Sequence, residues 1–227
     1  MNANASMVAE VWVGDTGGIL APRPVRIGKR CFDILAAASG LVVAAPVMAA
    51  AALAIRLESA GPALFRQERI GPGPEGGETT FVMVKFRTMR AEADRATGAV
   101  WASRGDPRIT RVGRILRATR IDELPQLWNV LTGEMSLVGP RPEQPAIHDR
   151  LAREVPGFGQ RMYGIRPGIT GWAQVEVGYD ASLDDVRRKI LYDHAYGLHL
   201  QSLRGWIAAD AWILWRTVAA VLKREGR

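Results

Sequence analysis

The chain has 227 residues, 48% of them hydrophobic, with a formal net charge of +7 and a sequence pI of about 10.2. That length allows one large domain or one domain with attachments, and the charge points to anionic partners: phosphates, acidic lipid headgroups or nucleic acid. A single cysteine, Cys31, excludes an internal disulfide, and the three histidines (His148, His194, His199) lack the spacing of a structural zinc site.

Residues 1 to about 25 mix polar residues with Gly and Pro and read as a flexible lead-in. The first 22 carry Glu10 and Asp15 but no Lys or Arg, which does not match a secretory signal peptide. Ile34–Ile55 then runs for 22 residues without a charge, long enough to span a bilayer. Pro46 falls inside this run and is expected to kink or break a helix there. Asp33 to Ala45 amounts to roughly 20 Å of helix and Val47 to Leu57 to roughly 16 Å. Neither arm spans a hydrocarbon core of about 30 Å. Arg23, Arg26, Lys29 and Arg30 precede the run, and Arg56, Arg66 and Arg69 follow it, so the positive-inside rule puts both ends in the cytoplasm. A helix that dips in, breaks and returns satisfies both observations. A kinked crossing helix and a buried hairpin in a soluble core remain open alternatives.

From Ala63 to Met89 the pattern turns β-like. FRQERIG and TFVMVKFRTM flank the turn-rich GPGPEGGE, which predicts a hairpin with Lys85 at the end of its second strand. Arg90–Gly105 is polar and reads as a helix followed by a loop. Asp106-Pro107 starts a turn. Arg108, Arg111, Arg114 and Arg117 then recur at threes with Ile109, Val112, Ile115 and Leu116 between them, the pattern of an amphipathic helix with an arginine face.

The acid pair Asp122-Glu123 follows, with Pro125 two residues on. Proline is tolerated in the first turn of a helix, so the helix ending near Leu131 is expected to begin close to Asp122 and to place it at or near the N-cap. There the helix dipole favours an ionised carboxylate. SLVGPRP reads as a short strand running into a turn that presents Arg141, and RPGITGW puts Arg166 on another rigid turn. Ser182–Tyr196 reads as a helix capped by Ser182, with Asp184 and Asp185 in its first turn. Trp206–Leu222, apolar but with Asp210 and Arg216, suits a helix in the membrane interface or one packed in a core.

Lys85, Arg117, Arg141 and Arg166 on stiff elements, with the acid pair, can hold a diphosphate and one divalent metal. The metal would screen carboxylate from phosphate. Taken singly, Asp122 is better explained as a helix cap, and each cation is more often a solvated surface charge.

The ordered motifs KRCFD (Lys29 to Asp33), the proline-broken apolar run, GPALFRQERIG, VKFRTM, DPRITRVGRILRATRIDELPQLWNVLTGEMSLVGPRP and RPGITGWAQV closely resemble the bacterial sugar transferase family, small monotopic polyisoprenyl-phosphate hexose-1-phosphate transferases. The resemblance covers nearly everything after the lead-in. It implies an α+β fold: a re-entrant helix–break–helix at 26–58, and a cytoplasmic catalytic domain at 59–227. That domain would hold short helices, a β-hairpin and an interfacial C-terminal helix, behind a lead-in at 1–25.

The resemblance also implies transfer of a sugar 1-phosphate from a UDP-sugar to undecaprenyl phosphate with release of UMP. This would be the first membrane step of exopolysaccharide, O-antigen or capsule assembly. By the same resemblance Asp122 is the nucleophile that forms a phospho-sugar aspartyl intermediate. Glu123, with Asp122, holds Mg²⁺, and Lys85, Arg117, Arg141 and Arg166 contact phosphate or nucleotide. The expected site is the cytoplasmic face of the bacterial inner membrane, among membrane lipids, with no nucleic-acid partner and with homo-oligomerisation left open.

Three departures from the family pattern stand out. Ala45 precedes Pro46 where Ser is common, the segment after Tyr192-Asp193 is longer, and GYDASLDD replaces an Asn-Gly-Arg. Two other classes were weighed against the transferase. A non-catalytic membrane scaffold is opposed by the retained acid pair and Lys85. A soluble nucleic-acid binder is opposed by the uncharged run and the lack of a binding motif.

Overall fold

The computed structural model describes residues 21–73, 77–90, 106–162, 164–178 and 182–223. The expected helix over Arg90–Gly105 lies almost wholly outside them, as do most of the lead-in and the tip of the hairpin turn.

A 36-residue helix, α1 (Arg23–Glu58), opens the described chain. It runs through Pro46 as one helical element, which leaves a kink rather than an interruption as the form of the expected distortion. A proline removes one N–H from the helical ladder, and the Ala-rich arms on either side are strong helix formers. Val25, Lys29, Asp33 and Ala37, spaced by four, make one buried stripe, and Ala51 and Ile55 continue it at the far end. The stretch between is exposed or half-buried, with Val42, Val43 and Val47 open.

Both ends of α1 are fastened to the same folded body. Near its start, Lys29 Nζ binds Asp210 Oδ2 (2.7 Å), Arg30 donates to the carbonyls of Val130 (2.6 Å) and Leu131 (2.8 Å), and Asp33 Oδ1 accepts from Ser136 Oγ and Leu137 N (both 3.0 Å). Near its end, Ala51 and Ile55 pack with Phe86 and Leu116, and Arg87 donates to the Ser59 carbonyl (2.9 Å). Glu58 also accepts from the first backbone amides of the next helix, Arg111 N (2.8 Å) and Val112 N (2.9 Å).

The predicted hairpin is present. Strands β1 (Leu64–Pro72) and β2 (Glu78–Phe86) pair antiparallel, with Phe65 opposite Lys85 and Arg69 opposite Phe81. Phe81, Met83 and Lys85 point to one side, and Val82 and Val84 to the other. The arginine-faced helix is α2 (Arg111–Ala118), capped by Thr110 Oγ1 accepting from Gly113 N (2.9 Å). A 3₁₀ turn (Ile121–Glu123) leads into α3 (Gln126–Thr132). Buried Asn129 on α3 mimics a strand partner. Its Oδ1 accepts from Val84 N (3.0 Å) and its Nδ2 donates to Val82 O (2.8 Å), which holds α3 on the open edge of β2.

Strand β3 (Ser136–Val138) pairs parallel with β4 (Gly168–Thr170), and α4 (Pro145–Glu154) lies between them in sequence. After α5 (Trp172–Glu176), helix α6 (Leu183–His199) starts at the expected cap, Ser182 Oγ accepting from Asp185 N (3.2 Å). Helix α7 (Leu203–Leu222) buries Trp206, Ala209, Asp210 and Ile213. It exposes Ile207, Trp215, Val218 and Leu222. Asp210 receives Lys29, Trp206 Nε1 (2.8 Å) and Tyr196 OH (2.7 Å), so this buried charge is paired and fully bonded. By length and composition α1 and α7 are each apolar enough to cross a membrane.

Candidate active site

The site forms where β2, α2 and the 3₁₀ turn meet. Helix α2 ends at Ala118, and Arg120 takes a left-handed conformation (φ 57°), the one non-glycine residue among those described with positive φ. That reversal turns the chain back toward β2 and delivers Asp122 and Glu123 into a tight turn. Pro125 has no amide hydrogen, and the bonds Leu127 N→Leu124 O and Trp128 N→Pro125 O carry the 3₁₀ turn into α3. Asp122 therefore stands four residues before α3 and is not its cap.

Asp122 is partly buried, and its Oδ1 is fully buried with no hydrogen-bond partner. Burial, reinforced by the charge of Glu123, pushes its carboxyl up to about 6, against the pull of Lys85, Arg117 and Arg120. Lys85 is its electrostatic counterpart. Burial, with Arg69 and Arg141 close by, lowers the ammonium to about 8, and Asp122 works in the opposite direction. Glu123 Oε1 accepts from Arg120 Nη1 (3.3 Å) and Arg141 Nη1 (3.4 Å). Two adjacent carboxylates thus have different tasks available: one is fixed by arginines, and the other offers a buried, unpartnered oxygen.

Arg141 is itself held in place. Arg161, buried, donates to the Arg141 carbonyl (2.9 Å) and to Asp193 Oδ2 (3.0 Å), and lies over the Phe158 ring at 4.2 Å. Burial pushes the Asp193 carboxyl up to about 6 despite that arginine. Arg69 donates to the Pro142 carbonyl (3.0 Å), and its burial, with Arg141 nearby, lowers its guanidinium to about 10.

Of the residues singled out in the sequence, Asp122, Glu123, Lys85, Arg117 and Arg141 share one electrostatic cluster. Arg166 does not join it. Its Nε donates to the Gly133 carbonyl (2.8 Å) beyond the C-terminal end of α3, and its charged neighbours are Arg30, Asp33 and Arg26. Sequence reasoning passed over Arg69, and placed Arg120 only as a cation just upstream of the acid pair. Arg69 was accessible from the hairpin register, which puts it on the Lys85 face. Nothing local marked the left-handed turn at Arg120.

Among the described residues no group of three or more His, Cys, Asp or Glu is gathered as a metal site. Asp122 and Glu123 are two carboxylates on one turn. That suits Mg²⁺, which takes one or two carboxylates and completes its octahedron with water and substrate phosphate. The unpartnered Asp122 Oδ1 is the available ligand atom.

Residues 25–224 match the family described as bacterial sugar transferase. The chain is 44% identical over 210 residues to a UDP-N-acetylgalactosamine-undecaprenyl-phosphate N-acetylgalactosaminephosphotransferase of Aeromonas hydrophila, covering 92% of this chain and 47% of that protein. It is 44% identical over 209 residues to a UDP-glucose:undecaprenyl-phosphate glucose-1-phosphate transferase of Caulobacter vibrioides, covering 91% and 72%. It is 39% identical over 215 residues to an undecaprenyl-phosphate glucose phosphotransferase of Komagataeibacter xylinus, covering 91% and 38%. The chain thus spans about half the length of the Aeromonas relative and less of the Komagataeibacter one.

Proposed function

The chain belongs to the bacterial sugar transferase family, and from that premise we propose that it moves a sugar 1-phosphate from a UDP-sugar to undecaprenyl phosphate and releases UMP. The single observation that carries the reading is the buried, unpartnered Oδ1 of Asp122 inside a cluster of cations.

In the proposed first step an Asp122 carboxylate oxygen attacks the sugar-bearing phosphorus. The bond from that phosphorus to the bridging oxygen breaks, and UMP leaves with the electron pair. In the second step an oxygen of the lipid phosphate attacks the same phosphorus, the Asp122 O–P bond breaks, and the carboxylate is regenerated. Lys85, Arg117 and Arg141 neutralise charge spread over the phosphoryl oxygens, which is where most of the rate arises in such transfers. Arg69 supports the same cluster, and Arg120 and Arg141 fix Glu123. Asp122 and Glu123 would hold Mg²⁺, which supplies charge screening between carboxylate and diphosphate when bound.

The proposed location is the cytoplasmic face of the bacterial inner membrane, with α1 re-entrant rather than crossing. Three observations support it: both ends of α1 are fastened to one body, both flanks are basic, and α1 and α7 expose apolar faces. A re-entrant seat asks α1 to bend at Pro46, where the helical ladder lacks one N–H, so that its two arms dip in and return. The proposed pathway role is the first membrane step of a glycan such as exopolysaccharide, O-antigen or capsule. The names of the relatives differ in sugar, so the donor is left as a UDP-sugar.

The test uses detergent-purified protein with Mg²⁺, undecaprenyl phosphate and a panel of UDP-sugars. UMP release from one donor, lost in Asp122→Asn, is the expected result. Full activity in that variant would remove Asp122 as nucleophile and leave it a structural residue.

A further inference from the structure

An open groove with a volume of about 500 Å³ runs beside the active site. Its apolar walls are Leu41 and Met48 of α1, Leu64, Val82 and Val84 of the hairpin, and Pro125 and Trp128 at the start of α3; Arg66 is its cation, and Asn129 and Glu134, bonded to each other, complete the lining. Volumes of this order hold small-molecule ligands. Trp128 is 56% exposed, Val82 43% and Leu64 39%, an unusual apolar face for water to cover.

Strand alternation explains its position. Val82 and Val84 point into the groove, whereas Lys85, the next residue, points to Asp122. Pro125, two residues past Glu123, belongs to the groove wall. The groove and the acid pair therefore lie on the two sides of one strand and meet at the turn before α3. The α1 wall comes from the middle of the uncharged run Ile34–Ile55, so the groove is continuous with the apolar surface of that helix.

The geometry points to this groove as the seat of the isoprenoid chain of the acceptor lipid, next to its phosphate, with Arg66 and the Pro125 turn marking where chain gives way to headgroup. This rests on the proposed transferase reading and adds to it a place for the lipid tail. The occupant is a flexible hydrocarbon rather than a folded partner, because α1 brings the groove to the level of the bilayer, where such a chain enters sideways without crossing water. Arg66 has the charge that complements the phosphate end, while the Glu134 carboxylate in the lining is taken up by Asn129 Nδ2 (2.8 Å) and Thr132 Oγ1 (3.0 Å). The chemistry of the acid pair needs only the phosphate; the groove supplies the reason to prefer a long prenyl chain.

The test separates the two half-reactions in phosphatidylcholine nanodiscs. Variants Val82→Glu and Trp128→Ala, both at exposed positions, are compared with the parent protein. The expected result is a KM for undecaprenyl phosphate raised about tenfold or more, a much smaller change for farnesyl phosphate, and an unchanged UMP burst from donor alone. Equal changes for long and short acceptors, or none, would overturn the assignment. A variant that loses a dimer while keeping its chain-length preference would make the groove a subunit interface and also overturn it. A second measurement does not need turnover: a prenyl phosphate with a photoactivatable chain is crosslinked and the labelled peptides are identified. Label on the peptides of Leu41, Val82 or Trp128 supports the groove, and label only elsewhere refutes it. If no donor yields UMP, the transferase reading fails while the crosslinking result still decides the groove.

Discussion

Asp122 and Glu123 are adjacent in the chain and opposite in bonding: Asp122 Oδ1 is buried without a partner, while Glu123 Oε1 is shared by Arg120 and Arg141 at 3.3 and 3.4 Å. An unpartnered buried carboxylate oxygen costs stability, and folds retain such groups where chemistry needs them.

Asp122→Asn is expected to abolish UMP release, by about a thousandfold or more, and to make the protein more stable. The sign follows from the raised carboxyl, about 6 in the fold against an ordinary 3.8. The folded state holds that proton more tightly, so stability falls as pH rises from about 4 to about 6 and stays low above. Asparagine removes this loss. Thermal unfolding should show a gain of about 1–3 kcal/mol above pH 6 that disappears near pH 4. A variant less stable at pH 8 would mean that Asp122 is held by favourable contacts.

The rate should describe a bell in pH. Its acid limb reports Asp122 near 6, and its alkaline limb reports loss of the Lys85 charge near 8. Because the two groups interact, the limbs belong to the pair. Lys85→Arg keeps its charge at all accessible pH, so the alkaline limb should move outward even if the maximum falls. An alkaline limb that stays in place would assign it to another group.

Asn129→Ala leaves Val84 N and Val82 O without their partners at the edge of β2. The expected loss is about 2–4 kcal/mol, read as a lower midpoint in urea. Activity per folded molecule should fall too, since the same contact sets α3 against the strand that carries Lys85.

Arg161→Met strands the Asp193 carboxylate in the interior. Breaking such a pair costs about 3–5 kcal/mol. Asp193 already sits near 6, and loss of Arg161 drives it higher, so the defect should be smaller at about pH 5, where the carboxyl is protonated. A loss equal at all pH would mean that Arg161 acts through its packing on Phe158 and its bond to the Arg141 carbonyl rather than through Asp193.

Much of this fold was legible in local pattern. The hairpin, the arginine-faced helix and the Ser182 cap follow from alternation, threefold spacing and capping chemistry within a few residues. What escaped was set by distant partners. Arg166 was grouped with the acid pair on turn chemistry alone, and its place at Gly133 and the start of α1 is set by the distant β3–β4 pairing. Asp122 looked like a cap, but the left-handed Arg120 and Pro125 insert a 3₁₀ turn before α3. Pro46 was expected to kink or break the helix, and the helical element runs through it without interruption between two alanine-rich arms.

The fastening of α1 also has a consequence in time. Arg30 and Asp33 find their partners 100 to 104 residues later, and Lys29 finds Asp210 only 181 residues on. At typical synthesis rates that last partner emerges about 10 to 40 s after Lys29. Until then Lys29 lacks its buried carboxylate partner on α7. The final seat of α1 is therefore decided only when α7 arrives, and a chain truncated before Asp210 leaves Lys29 without that partner.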